Sequence, residues 1–489
     1  MIPTKRPKLE LLSPALIKKI IAEALVILEK QGIFVENQEA IRLFKGARMK
    51  VDDSSQRVYI KPKLVESSLS STPAEIKMYD RSGEKEFVVG GDEVHFDPGS
   101  TAVTILDQKT QEQRRADTDD VVRFVHLADC LDNIHFQSTG LISNDVPEII
   151  ADSYRLYLGL MFSSKPMVTG TFRVAGFKPM HDMLVAVRGS EKNLAAKPLA
   201  IFDACPSPPL KWSNLTTQSL IDCARAGIPS ELISMGMTGA TSPVTIAGTL
   251  VQHVAETFCG IVICQLAKKG APVIFGGSPS SFDLRKGTTP MGAIETMMID
   301  AAYTQIAKHL HLPTHAYMGL SDAKVNDSQA GLETGLGAVL GALAGVNVIS
   351  GPGMMDFESC MSLEKLVIDN EICGMAYRLI QGIAQRDEPI ATLLFEGFTP
   401  KMQFLSLPHT KKWYRQEHTF PAISDRDTYD YWVSLGRKSM ADKAAEEVDR
   451  ILKTKPAQVA DESLVKELRK IMFADAKNNG VAKLPEIKR

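Results

Sequence analysis

From about residue 118 the chain alternates short β-rich runs with longer helical ones, and this alternation limits its fold more than any other feature. The strand candidates are 134–141, 166–172, 199–204, 231–235, 272–275, 314–318 and 346–350. Helical stretches lie between them at 148–162, 176–187, 216–226, 244–269, 290–309, 327–343 and 362–381. Parallel strands need crossovers of this length, so seven units in order predict an α/β chain built on a parallel sheet. A closed (β/α)₈ TIM barrel fits better than a doubly wound sheet, which carries a phosphate-binding fingerprint after its first strand. For the eighth strand, residues 391–398 read either as that strand or as a continuing helix. The reading divides the chain into an N-terminal helix-plus-strand cap at 1–117, the barrel at 118–425 and a C-terminal helical extension at 426–489.

Charge narrows the function. Fifty-six lysines and arginines against 58 aspartates and glutamates leave a net charge of −2, which argues against the broad basic surface of nucleic-acid binding. The start MIPTKRPKLELLSPALIKK has no apolar core followed by a small-residue cleavage site, so a cytoplasmic protein is expected. The apolar stretch 244–267 contains Gln252, His253, Glu256 and Gln265, which predicts a buried helix and no membrane span. None of the seven cysteines forms a CxxC pair, a pattern that suits reduced thiols; Cys205, at a strand end, is the one placed for chemistry.

Short motifs decide little. GLGAVLG has Gly335, Gly337 and Gly341 at the wrong spacing for a dinucleotide loop and reads as a close helix contact. His309, His311 and His315 in HLHLPTH do not converge as a metal trio would, and no metal site is expected. Lys165 and Lys324 lie near strand ends and leave a Schiff-base aldolase open.

Longer segments are more specific: GMTGATSPVTIAGTLVQHVAE after the fourth strand, GAPVIFGG, GLSDAKVNDSQAGLETGLGAVLGALAGVNVISGPG after the sixth, SLEKLVIDNEICGM, and PHTKKWYRQEHTFPAISDR. Together they resemble the trimethylamine methyltransferase family over nearly the whole chain. The resemblance implies a barrel that takes a methyl group from an amine and gives it to the Co(I) corrinoid of a separate small protein, with no cofactor held tightly by the chain itself. Founding members carry pyrrolysine; this sequence holds only the twenty ordinary residues. It therefore resembles the branch acting on quaternary amines such as glycine betaine, proline betaine and carnitine. Self-association into a homo-oligomer is expected on the same ground. A barrel that only binds a betaine or the corrinoid protein as a scaffold is the non-catalytic alternative.

A quaternary ammonium is already an activated leaving group, so no protein nucleophile is required. It cannot donate a hydrogen bond, and aromatic faces hold it at roughly 0.5–2 kcal/mol per good contact. Barrel chemistry sits at the C-terminal strand ends. The candidates for the cation are Phe172, Phe275 and Tyr317 near strand ends, Phe357 after the seventh strand and Phe96 in the cap segment HFDPGS, with Asp97 of the same segment as the catalytic countercharge. Amides of Gly99, Ser100, Gly351 or Gly353, or the ring of His315, are candidate donors to a substrate carboxylate. Asp322 and Lys324 either line the pocket or pair with each other.

Overall fold

A computed structural model describes residues 4–454 and 460–487. Eight short strands run in parallel: β1 (His95–Asp97), β2 (Gln137–Ser138), β3 (Met167–Thr169), β4 (Ala200–Ala204), β5 (Ser230–Ser234), β6 (Val273–Gly277), β7 (His315–Tyr317) and β8 (Val348–Ser350). Strands β2 to β6 pair in sequence order, and β7 pairs with β8 and β8 with β1. Two junctions close the ring. A bridge joins Phe275 to Thr314, and the amides of His135 and Phe136 donate to Phe96 O at 2.9 and 3.2 Å.

Each strand feeds a helix: α1 (Thr118–Cys130), α2 (Ala151–Phe162), α3 (Phe177–Arg188), α4 (Asn214–Ala226), α5 (Ile246–Ala267), α6 (Ile294–His309), α7 (Ser328–Ala344) and α8 (Leu363–Ile380). Their boundaries follow local chemistry. Asp117, Thr245, Asp327 and Ser362 cap α1, α5, α7 and α8 by accepting first-turn amides, and Gly227 and Gly345 end α4 and α7 in the left-handed region.

The eight units confirm the (β/α)₈ barrel, but not every expected strand. Residues 391–398 hold a single 3₁₀ turn, Thr392–Phe395, and supply no strand. The missing strand is β1, from the stretch expected to belong to the cap. Three residues followed by Pro98 and Gly99 give no strand pattern by themselves; β1 exists because β8 pairs with it.

The N-terminal region packs on the barrel in two places. Helices Pro14–Val26, Gln38–Gly46 and Pro62–Ser71 cover α5. That covering explains why α5 is apolar on all sides: it is long and apolar enough to cross a membrane, yet Gln252, His253 and Glu256 are buried within the fold. The hairpin Glu75–Tyr79 with Glu86–Gly90 closes the N-terminal end of the barrel, where Ile76, Met78, Phe87 and Val89 pack on Phe136, Val168, Ile201, Ile274 and Val348. At the other end of the chain, Glu462–Asn478 lies against α2 and α3, tied by Asp475 to Arg173 at 2.8 Å. Gly337 and Gly341 of GLGAVLG serve this packing, whereas Gly335 faces open space. A Cβ on Gly337 would lie 2.0 Å from Met318 O, so α7 rests backbone to backbone on the end of β7.

Candidate active site at the mouth of the barrel

Side chains alternate along a strand, so in a barrel every second one points inward. On β1 the inward positions are His95 and Asp97, on β4 Ile201 and Asp203, on β5 Glu231, on β7 His315 and Tyr317, and on β8 Val348 and Ser350. Contacts across the barrel establish this parity. Ser350 Oγ donates to Asp97 Oδ1 at 2.6 Å, His315 Nε2 lies 2.9 Å from Ser350 Oγ, and the same nitrogen lies 3.3 Å from Glu231 Oε1. Above this layer Ser100 Oγ contacts the Tyr317 hydroxyl at 3.1 Å and Asp203 Oδ2 at 3.4 Å, while the Ser100 amide donates to Glu358 Oε1 at 3.1 Å.

A cavity of about 450 Å³ opens over these groups at the C-terminal strand ends. Tyr317, Asp203, Glu358, Phe357, Phe172 and Arg155 contribute to its wall. Four carboxyls, those of Asp97, Asp203, Glu231 and Glu358, therefore stand in or just beneath one small space. Burial pushes all of them up from the ordinary carboxyl range, and their mutual repulsion pushes Asp97, Glu231 and Glu358 further. Asp203 rises to about 7: burial dominates, opposed by its bonds to Glu231 and Ser100 and by the nearby Arg155 charge. Asp203 and Glu231 are register neighbours on β4 and β5, and two carboxyls can share a hydrogen bond only when one holds a proton. Burial pushes His315 down to about 3, so its ring is neutral. The cluster is thus a store of protons with little fixed negative charge near neutral pH.

The loop after β8 completes the wall under strain. Asp356, Phe357 and Glu358 hold φ of 50°, 55° and 69°, three successive side-chain-bearing residues in the left-handed region. Phe357 is turned to the cavity, and Lys324 Nζ lies 3.7 Å above its ring while pairing with Asp356 at 2.9 Å.

Several sequence expectations need correction. Phe96 lies between inward His95 and Asp97, so it points outward and packs edge-on against Tyr377 at 5.3 Å. Phe275 likewise points away, into the rings of His253 and Tyr303. Asp97 lies beneath the cavity and touches Ser350, so its contact with a ligand is indirect. The proposed carboxylate donors are already engaged: Ser100 N by Glu358, Gly351 N by Asp97 O at 3.1 Å and Gly353 N by Asp369 Oδ2 at 2.7 Å. Gly99 is wedged against Met354, Glu358 and Gly351, where a Cβ would come within 2.9 Å of the first. His315 faces Ser350 and Glu231 below. Asp322 accepts the amides of Met291 and Gly292, both at 2.9 Å, and pairs with Lys324 only through its backbone oxygen, at 2.6 Å. Ser100, Phe172, Tyr317 and Phe357 do line the cavity.

Sequence reasoning missed Asp203, Glu231, Glu358 and Arg155. A signal existed for the first two: a charged residue inside a short apolar strand, as in AIFDA and SELIS, must face something other than packed helices. Arg155 and Glu358 had none, because helix α2 and a strained loop bring them to the mouth.

The sequence profile of the trimethylamine methyltransferase family (MTTB) matches residues 1–480. The chain belongs to that family. Similar curated members include "Trimethylamine methyltransferase MttB" of Desulfitobacterium hafniense, 32% identical over 94% of this chain and 92% of that one. The protein of that name from Methanosarcina barkeri is 32% identical over 93% of each chain. A "Glycine betaine methyltransferase" of Desulfitobacterium hafniense is 30% identical over 87% of this chain and 89% of its own. The family match spans cap, barrel and most of the helical extension, so the cavity described above lies within the methyltransferase scaffold. Among the described residues no group of three His, Cys, Asp or Glu side chains is arranged to hold a metal ion.

Proposed function

We propose that this family member demethylates a quaternary amine, glycine betaine foremost, and passes the methyl group to the Co(I) corrinoid of a separate protein. Proline betaine and carnitine are alternative substrates for the same chemistry. The observation that carries the reading is the cavity itself, which the rings of Phe172, Tyr317 and Phe357 line together with the carboxyls of Asp203 and Glu358. Aromatic faces attract a cation that offers no hydrogen bond. The carbon–nitrogen bond breaks with its electron pair left on nitrogen, and the acceptor's Co(I) pair forms the new bond to carbon. Nitrogen loses its charge as this happens, so a ring of ionised acids would favour substrate over transition state. Carboxyls that keep their protons avoid that penalty. The chain's own task is to orient one methyl group and exclude water.

Delivery to a protein acceptor suits the rim. Phe172, Met235, Val244, Leu284 and Val325 are exposed apolar side chains in the loops after β3, β5, β6 and β7, with Val244 and Leu284 at 67% and 70% exposure. Such a rim is the kind of surface a protein partner covers. The aldolase alternative gains no support. Lys165 Nζ donates to Ala128 O and Leu131 O at the opposite end of the barrel, and Lys324 is paired with Asp356.

The direct test mixes the purified chain with its corrinoid protein in the Co(I) state and follows the absorbance of the methylated corrinoid. Glycine betaine, proline betaine, carnitine and trimethylamine form the panel. Turnover with one of the quaternary amines is expected, with Phe357→Ala slowing it at least tenfold. Saturable binding without methylation by any of them would reduce the protein to a scaffold.

A further inference from the structure

We propose that Arg155 is the anchor for the substrate's carboxylate, which makes the cavity a two-ended site for a short zwitterion with its ammonium towards the Asp203 side. The proposal rests on the quaternary-amine reading and adds the residue that selects among such amines. Arg155 projects from α2 into the cavity wall and is 2% exposed. Its Nη1 donates to Thr139 O at 2.6 Å and makes a long contact with Thr101 Oγ1 at 3.4 Å, while Nε has no partner. The Phe172 ring covers one face of the guanidinium at 4.5 Å. Among the described residues no carboxylate oxygen lies within ion-pair distance of it, although Asp152 and Asp203 are near enough to act through their fields.

A buried cation without an ion-pair partner is costly to keep. Burial lowers this guanidinium to about 10, partly offset by Asp152 and Asp203, so it stays charged at neutral pH. The planar fork of arginine matches a carboxylate through two parallel N–H donors. The backbone amides that sequence reasoning offered for this task are spent within the protein, as shown above. Arg155 is a buried donor at the cavity with hydrogen-bonding capacity left, and it lines the same cavity as Asp203, Tyr317 and Phe357. Trimethylamine and choline have no carboxylate to pair with it.

Calorimetric titration of the full chain with three probes tests this: glycine betaine, tetramethylammonium as the bare cation, and acetate as the bare anion. Arg155→Gln is expected to weaken glycine betaine at least 30-fold, to abolish acetate binding and to leave tetramethylammonium within threefold of the unaltered chain. Arg155→Lys keeps the charge without the fork and is expected to fall between the two; thermal melts of both variants report folding. Glycine betaine bound equally by Arg155→Gln, or all three probes weakened alike in a folded variant, would overturn the anchor while leaving the amine reading intact. Should Arg155→Gln fail to fold, undiminished glycine betaine binding by Arg155→Lys, or failure of acetate to compete with glycine betaine on the unaltered chain, would overturn it as well. Arg155-dependent acetate binding with no affinity for either ammonium probe would keep the anchor and remove the amine reading.

Discussion

Asp203 sits in a strand otherwise made of Ala200, Ile201, Phe202 and Ala204, and its environment sets the pH response of the site. Its carboxyl is raised to about 7 against roughly 3.9 in an unfolded chain, so the folded state holds a proton that the unfolded state releases between those values. The resulting stability is complete below about pH 4 and is lost as pH rises through 7. Asp203→Asn is therefore expected to raise stability by up to about 4 kcal/mol at pH 8 and to leave it unchanged near pH 4, measured by denaturant titration at both pH values. A cation favours the ionised carboxylate, so binding has the opposite slope. The Kd for tetramethylammonium should fall about tenfold from pH 6 to 8 in the unaltered chain and stay flat in Asp203→Asn. A pH-independent Kd in the unaltered chain would remove Asp203 from the cation site. The sequence candidates omit this aspartate because residue type was read without strand parity; parity sends Phe96 and Phe275 outward and Asp203 inward.

The loop from Gly351 to Glu358 delivers Phe357 and Glu358 to the cavity, and a buried ion pair on α8 holds it. Lys365 Nζ donates to Asp369 Oδ2 at 2.5 Å and to Thr334 Oγ1 at 2.6 Å, and the same carboxylate oxygen accepts the Gly353 amide. Both charged groups are inaccessible to solvent, so removing one strands the other. Asp369→Ala should cost about 3–5 kcal/mol in urea denaturation, with much of it recovered when Lys365→Met is added. Full stability in the single variant would mean that the pair contributes nothing to the loop. SLEKLVIDNEICGM already placed Lys365 and Asp369 four residues apart on a helix, one above the other. That the pair faces inward under a strained loop depends on α8 packing beside α7 and on the Gly353 amide reaching Asp369, which helical spacing alone does not contain.

At the scale of the molecule, the chain from Gly382 to Arg437 leaves α8 at the end of the barrel opposite the cavity, and Ile423 is its one buried residue. Ile383, Ile390, Phe398, Leu405, Phe420 and Tyr429 are exposed, the first and fourth at 91% and 84%. An ordered arm needs buried apolar area to offset its lost entropy, and a second copy of the chain, seated away from the cavity mouth, is the expected occupant. Light scattering is expected to give a mass above the 53.6 kDa of one chain, with Phe398→Glu plus Leu405→Glu shifting it towards the monomer. A monomeric unaltered chain would overturn this. The alternation of strand and helix, the caps that start each helix and the extended family resemblance were readable along the chain because they depend on neighbours a few residues apart. The closing strand β1, the outward turn of Phe96 and Phe275, the gathering of Asp97, Asp203, Glu231 and Glu358, and the arrival of Arg155 beside them were decided by barrel closure together with the helix and loop that it positions. Closure brings residues up to 261 positions apart, Asp97 and Glu358, into one space of low polarity, and burial there gives each carboxyl a proton affinity that no local pattern encodes.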